Sequence, residues 1–233
     1  MIIGSAVLVD NAVFQLLQAS AGAAASDRFK DVAYERGQIC LRRGDTGLLF
    51  LTSAVVKGIR SSRDGRAVTL EVLGPGDTLG IESLLDSKGS REDFVVMDGG
   101  TALRLDASWA RRMMLEEPAV SIAVSAELAR RLRRTQDRSV RMRLRPASAL
   151  VAEWVLDFGD TLPDRSELWQ RSGLVTQDEV AEQIGISRET VNKALREFVL
   201  RGWVRKEGLT WAVLDRDAVE RHAGRYQMAR VAP

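Results

Sequence analysis

The run TQDEVAEQIGISRETVNKALREFVLRGWVRKEGLTWAVL occupies residues 176–214 and carries a pattern of two helices and a hairpin. Thr176-Gln177-Asp178-Glu179 is a capping box: the Thr176 hydroxyl accepts from a backbone N–H, and Glu179 reaches back to the Thr176 amide. Val180, Ala181 and Ile184 then lie on one apolar face. Gly185 permits a tight turn, and Ile186 plugs the core behind it. Ser187 is a natural N-cap for the next helix, expected over residues 187–201. Within that helix Val191, Ala194, Leu195 and Phe198 recur at helical spacing and face a core. Leu200-Arg201-Gly202 ends it, and residues 203–213 read as a β-hairpin turning at Glu207-Gly208. Helix, short turn, helix and hairpin make a winged helix-turn-helix.

A DNA major groove admits one α-helix, entered by its N-terminal turns. Side chains there must be long and polar to reach base edges. Arg188, Glu189 and Lys193 meet that need. Arg gives two hydrogen bonds to guanine, and Glu accepts from the cytosine amino group. Phosphate contacts are expected from Thr176, Ser187, Arg196, Arg201, Arg205 and Lys206. Residues 186–206 hold six basic side chains against Glu189 and Glu197. A solvated surface face could carry the same charges, but capping box, glycine turn and wing together favour DNA.

The charge map agrees. The 233 residues hold 34 basic and 32 acidic side chains, a formal charge of +2, so the chain is not basic as a whole. Residues 1–126 carry 14 basic against 16 acidic, residues 127–144 carry 7 against 2, and residues 145–233 carry 13 against 14. A nucleic-acid contact must therefore be a local basic face. The single cysteine, Cys40, excludes an intrachain disulfide and multi-thiolate metal sites. The single histidine, His222, excludes a His-pair site and is expected to face solvent. No apolar run is long enough to span a membrane, and Met1–Leu17 lacks a basic leader, so the expected location is the cytoplasm.

Upstream, residues 1–33 look like a ragged beginning, with a short helix from Ala12 to Leu17 and a loop over Ala19–Ser26. From Tyr34 to Gly100 short apolar runs alternate with glycine turns. Leu48–Leu51, Val55–Ile59, Val68–Val72, Phe94–Met97 and Leu103–Leu105 read as strands of a β-barrel or sandwich. Val68, Leu70 and Val72 alternate with Thr69 and Glu71, the period of a half-buried strand. Asp64-Gly65 supplies a hairpin turn. A long helix starts at Pro118 and runs to Pro146, about 40 Å at 1.5 Å per residue. Its heptad stripe is Ser121, Ser125, Leu128, Leu132, Thr135, Ser139 and Met142, a weak seam flanked by arginines. A second helix runs from Pro146 to about Phe158, and Gly159–Gly173 reads as a connecting loop. The boundaries are then 1–117 for a β-rich sensor domain with short flanking helices, 118–145 for a long dimerisation helix and 146–233 for the winged helix-turn-helix.

Thr176 to Val213 resembles the DNA-binding region of the Crp/Fnr family of bacterial transcription regulators. Ile186-Ser187-Arg188-Glu189-Thr190-Val191 is close to the family's recognition helix. Tyr34-Glu-Arg-Gly37, Gly44-Asp45, Asp64-Gly65-Arg66 and Pro75-Gly76-Asp77 are similar to its sensor barrel. The resemblance implies an α+β chain with a cyclic-nucleotide-binding-like barrel (a double-stranded β-helix), a long dimerisation helix and a C-terminal reader. It implies a homodimer on a palindromic site, with half-sites about 34 Å apart. Arg188, Glu189 and Lys193 then read bases in a half-site related to GTGA. The family's cyclic-AMP receptor has Arg where this chain has Lys193, and Lys reads a base more loosely. RNA polymerase is an expected partner if the chain is an activator.

The same resemblance places an effector pocket at Ile81, Glu82, Arg91, Glu92 and Thr135. Ile81 stands where the family's ribose-binding Glu would be, and Glu92 where its phosphate-binding Ser would be; Arg91 is retained. A shift of one residue would bring Glu82 to the ribose. A carboxylate beside a cyclic phosphate repels it, so cyclic nucleotide is disfavoured. Arg91 is expected in a surface ion pair with Glu92, Asp93 or Asp86. An iron–sulfur cluster lacks thiolates, and heme lacks a well-placed axial ligand. Cys40 is read as a small buried hydrophobe, and no cofactor is expected. The expected function is a sequence-specific DNA-binding regulator of this type. The alternative is a small-molecule-binding module whose winged helix contacts protein. No nucleophile–base pair, metal cluster or phosphate loop suggests an enzyme.

Overall fold

The computed structural model describes residues 6–61, 67–86, 88–160, 176–207 and 210–224. The chain divides into two compact units, Met1–Thr135 and Gln136–Pro233. The first unit is built on the described strands β1 (Lys30–Tyr34), β2 (Ile39–Leu41), β3 (Leu48–Leu51), β4 (Val55–Ser61), β5 (Ala67–Leu73), β6 (Thr78–Leu79), β7 (Asp93–Asp98) and β8 (Gly100–Leu105). They form two antiparallel sheets, ordered β1-β8-β3-β6 and β2-β7-β4-β5. Among the described residues no ladder joins the two sheets, so hydrogen bonds do not close the barrel. An apolar core joins them instead: Leu49, Leu51, Leu79 and Ala102 of one sheet pack with Leu41, Val56, Phe94 and Val96 of the other.

Strand β3, Leu-Leu-Phe-Leu, is fully buried along its length. Successive side chains alternate between faces, so a run with no polar residue needs cover on both. Leu49 and Leu51 enter the inter-sheet core. Leu48 and Phe50 enter a second core beneath helices α1 (Ala12–Ala21), α4 (Ala107–Glu116) and the first turns of α5 (Pro118–Leu144). Two short elements complete the unit, α2 (Ala25–Arg28) and α3 (Ser83–Asp86).

From residue 6 to residue 33 the chain is ordered rather than ragged. Asn11 caps α1, its carboxamide oxygen accepting from the Phe14 amide at 3.0 Å. The Asn11 Nδ2 donates to the Gly76 carbonyl at 2.9 Å and to the Thr78 hydroxyl at 2.8 Å, pinning the helix to the sheet. Phe14 packs edge-on against Phe29 and Phe50, with centroids 5.3 and 5.2 Å away. The expected loop at 19–26 is instead the end of α1, a single 3₁₀ turn and α2. Alanine is the best helix former, so its lack of chemical features was no sign of a loop.

Strand β5 has the expected period in the opposite phase. Val68 and Leu70 are 48% and 38% exposed, while Thr69 is 1% exposed. The β4–β5 ladder slips between Gly58, which pairs with Glu71, and Ile59, which pairs with Thr69. Periodicity gives the spacing of a face and not which face is inside. The Asp64-Gly65 turn and the loop from 161 lie outside the described residues.

Along α5, Val120 and Val124 are fully buried and Leu128 packs on the same core. The Ser121 hydroxyl, half-buried, donates to the Met114 carbonyl at 2.6 Å. Ser121 and Leu128 therefore face the core of the first unit rather than outward. The outward line at heptad spacing is Ile122, Ser125, Ala129 and Leu132, with Ile122 and Leu132 at 69% and 58% exposure.

Phe14→Ala is expected to destabilise the sensor by about 3–5 kcal/mol in urea unfolding, against less than about 0.5 kcal/mol for exposed Val9→Ala. Cys40 lies in the inter-sheet core, its Sγ 3.4 Å from the Phe94 carbonyl. Burial pushes its thiol up to about 11, against weaker opposition from backbone amides. At pH 8 the folded thiol should alkylate on the order of a hundredfold more slowly than the unfolded one; equal rates would contradict this placement.

Candidate nucleic-acid interface

The second unit is centred on α6 (Ala147–Asp160), α7 (Gln177–Ile184), α8 (Arg188–Leu200), the hairpin β9–β10 (Val204–Glu207, Thr210–Val213) and α9 (Arg216–Ala223). Their apolar faces share one core, including Val151, Trp154, Val155, Val180, Leu195 and Val219. Between α7 and α8 the chain reverses at Gly185, whose φ of +72° is left-handed. The amides of Gly185 and Ile186 both donate to the Ala181 carbonyl, at 2.8 and 3.1 Å. That double bond is a Schellman-like stop, and glycine takes the backbone angle with little strain.

Thr176 immediately precedes α7, and its carbonyl accepts from the Val180 amide at 3.1 Å. The side chain of Glu179, the other half of the expected capping box, lies outside the described residues. Ser187 caps α8: its Oγ accepts from the Thr190 amide at 3.2 Å and lies 2.8 Å from the Thr190 hydroxyl. The far end of α8 is capped at Arg201 and turned by Gly202, φ +72°.

Val191, Ala194, Leu195 and Phe198 are buried, so the opposite arc faces outward. Arg188, Glu189, Lys193 and Arg196 are exposed. Glu189, Asn192, Lys193, Arg196, Glu197 and Leu200 line one shallow, open surface along the helix. Asn192 and Leu200 were not singled out from the sequence, although their spacing from Glu189 and Lys193 places them on the same face. Arg188 lies 3.5 Å from Asp178 at the start of α7, both side chains more than half exposed. Such a surface pair contributes at most about 1 kcal/mol and exchanges readily for another anion.

The wing is a two-stranded ladder in which Glu207 pairs with Thr210, Lys206 with Trp211 and Arg205 with Ala212. Glu207 is thus a strand residue, and the connection is 208–209, outside the described residues, one position later than expected. Arg205 and Lys206 are exposed. Arg201 is already engaged: it pairs with Glu197 at 2.8 Å, and its guanidinium lies 5.0 Å over the Trp203 ring.

His222 does not face solvent. Its Nε2 is 3.0 Å from the Ser148 hydroxyl, and its ring lies 5.3 Å from both Phe198 and Trp203. From α9 it joins Phe198 of α8 and Trp203 at the foot of the wing in one aromatic cluster, and it reaches α6 through Ser148. A lone polar aromatic on a short amphipathic helix does not reveal its phase, and the sequence offered no sign of this.

In the sensor, Ile81 is fully buried in the helix-side core and Glu82 is half-buried. Arg91 is exposed, and Glu92 pairs with Arg60 at 2.5 Å rather than with its neighbour. Asp93 accepts from the Arg43 amide at 2.9 Å, and Asp86 from the Lys88 amide at 3.1 Å. Thr135 is exposed on α5, its hydroxyl donating to the Arg131 carbonyl at 3.0 Å. Glu71, by its spacing only a polar position of β5, is a half-buried acid in the structure. Burial raises its carboxyl; the Arg131 charge opposes this, and Glu82, Glu92 and Asp77 reinforce it. Among the described residues no three His, Cys, Asp or Glu side chains are grouped to hold a metal, and no helix is long and apolar enough to cross a membrane.

Comparison with known proteins agrees with this architecture. Residues 151–222 match the Crp-like helix-turn-helix domain, and residues 31–117 match the cyclic nucleotide-binding domain. The chain is 31% identical over 220 residues to a CRP-like cAMP-activated global transcriptional regulator of Mycobacterium tuberculosis, covering 93% of this chain and 98% of that one. It is 29% identical over 190 residues to the transcriptional regulator LdrP of Thermus thermophilus, covering 80% and 92%. A solved CRP-family transcriptional regulator of Thermus thermophilus superposes with a TM-score of 0.67 at 27% identity, covering 83% of this chain and 96% of that one. FixK2 of Bradyrhizobium japonicum shares the fold, with a TM-score of 0.69 at 18% identity and coverage of 83% and 96%.

Proposed function

The chain belongs to the Crp/Fnr family of bacterial transcription regulators, and on that premise we propose that it binds a palindromic DNA site as a homodimer, through Arg188, Glu189 and Lys193 of α8. One observation carries the reading: burial of Val191, Ala194, Leu195 and Phe198 leaves a polar arc at the N-terminal turns of that helix directed outward. Arg188 supplies paired donors for guanine, Glu189 an acceptor for a cytosine amino group, and Lys193 a single point donor. Thr176 and Ser187 offer helix N-termini to phosphate, and Arg196, Arg205 and Lys206 offer cationic side chains. Arg201 contributes least, because Glu197 and Trp203 already hold its guanidinium.

The second copy docks along the outward line Ile122, Ser125, Ala129 and Leu132, at the 3-4 spacing of a two-helix contact, with exposed Ile122 and Leu132 as its apolar anchors. Effector chemistry is a separate matter. The relative from Mycobacterium is named for activation by cAMP. Here Glu71, Glu82 and Glu92 crowd the corresponding region with negative charge, so we infer that a cyclic nucleotide is not the effector. No iron–sulfur cluster or heme is assigned, since Cys40 is core-facing and His222 is held within the aromatic cluster. RNA polymerase is the further partner if the outcome is activation.

Gel-shift titrations of specific against random duplex test the assignment. Arg188→Ala and Glu189→Ala should each lose about 1–3 kcal/mol on the specific duplex and erase the discrimination. Lys206→Ala should weaken both duplexes alike. Equal losses on specific and random DNA for all three variants would refute the assigned roles.

A further inference from the structure

Beyond its apolar contact with the sensor, α5 makes a polar one. One turn past Leu128, the side chain of Arg131 turns inward and is only 17% exposed. Its Nε donates to the Glu127 carboxylate at 3.0 Å, and its Nη2 donates to the backbone carbonyl of Thr78. Thr78 is 1% exposed and pairs with Phe50 in the sheet, while its hydroxyl accepts from Asn11. From Thr78 to Asp86 the chain is held by its carbonyls: Ser83 Oγ donates to Gly80 at 2.6 Å, and Arg111 of α4 donates to Ser83 at 2.5 Å and to Leu84 at 3.2 Å. At Gly80, with φ +75°, a Cβ would stand 2.2 Å from the Gly47 carbonyl oxygen, so this path tolerates no other residue without backbone movement.

The charges around Arg131 make it hard to replace. Burial would raise the Glu127 carboxyl, but hydrogen bonds from Arg130 and Arg131 outweigh that and hold it below the ordinary range. Glu71, raised by burial, has Arg131 as its main opposing charge. Glu92 is paired with Arg60.

We propose that Arg131 is a built-in latch, tying the long helix to segment 78–86 and fixing that helix's rotation on the sensor with no small molecule bound. The proposal rests on the regulator reading above and states how its sensor is set. Held at Val120, Val124, Leu128 and Arg131, the helix keeps Ile122, Ser125, Ala129 and Leu132 on its outer side for a second copy. An anionic ligand entering here would meet Glu71, Glu82 and Glu92 and would compete for the same guanidinium.

The test compares the full-length wild type with Arg131→Gln and Arg131→Lys, by hydrogen exchange and by DNA binding. The glutamine variant should exchange the amides of 78–86 at least tenfold faster, with the 188–200 amides unchanged. Its affinity for specific duplex should fall at least tenfold, cyclic AMP should not restore it, and the lysine variant should recover part of both. Unchanged exchange at 78–86 in the glutamine variant overturns the latch, whether or not the wild type binds DNA. Faster local exchange with unchanged DNA affinity overturns its regulatory role. A tenfold gain in wild-type affinity on adding cyclic AMP overturns the claim that no ligand is needed. If the glutamine variant unfolds throughout, the lysine variant decides: acceleration confined to 78–86 supports the latch, and its absence overturns it. A wild type that binds no duplex specifically sinks the regulator reading and leaves the exchange comparison as the test of the latch.

Discussion

Four buried side chains, Val191, Ala194, Leu195 and Phe198, determine which way helix α8 faces. Burial of each large apolar side chain is worth about 1.5–3 kcal/mol, so rolling the helix to expose them would cost much of a small unit's stability. The polar arc therefore points outward because the apolar arc cannot. The ends are fixed as well, by the Ser187 cap at one end and by the turn at Gly202 at the other. His222, Phe198 and Trp203 then bind the helix to the wing, so the residues assigned to bases and those assigned to phosphate belong to one rigid unit.

The sensor applies the same constraint to a sheet. Strand β3 is apolar on both faces, and the cover it requires on its second face is α1, α4 and the start of α5. The long helix is thereby seated with Val120 and Val124 inward, which fixes Ile122 and Leu132 outward. Polar groups at this junction are costly unless paired. Arg131 donates to both the Glu127 carboxylate and the Thr78 carbonyl, so a specific geometry replaces loose apolar contact.

The sequence makes the reader more legible than the sensor, for physical reasons. Capping, glycine turns and helical spacing are local signals, and residues 185–201 contain all three, so the reader's helix ends and buried face could be deduced directly. The phase of β5 could not: Thr69 faces inward and Val68 outward, and a period of two does not say which face the rest of the fold covers. Two positions of the expected heptad stripe turn inward for a related reason: Leu128 packs on the core of the first unit and Ser121 bonds to Met114, while Ser125 and Leu132 stay exposed. Short strands such as β6, two residues long, leave too little pattern to see. Arg131 lay among seven arginines between 127 and 144, and nothing in the sequence separated the inward one from its neighbours. The role of His222 likewise depends on Ser148, distant in sequence, and could emerge only in three dimensions.

The central claim is that two copies present α8 to successive major grooves of one duplex. Selection of bound duplexes from a random library, using the full-length protein without added ligand, tests it most directly. The account predicts enrichment of a two-fold symmetric sequence whose half-sites lie about one helical turn apart, roughly 10–10.5 base pairs between centres. Enrichment of an asymmetric or single half-site sequence, or no enrichment over random DNA, would contradict it.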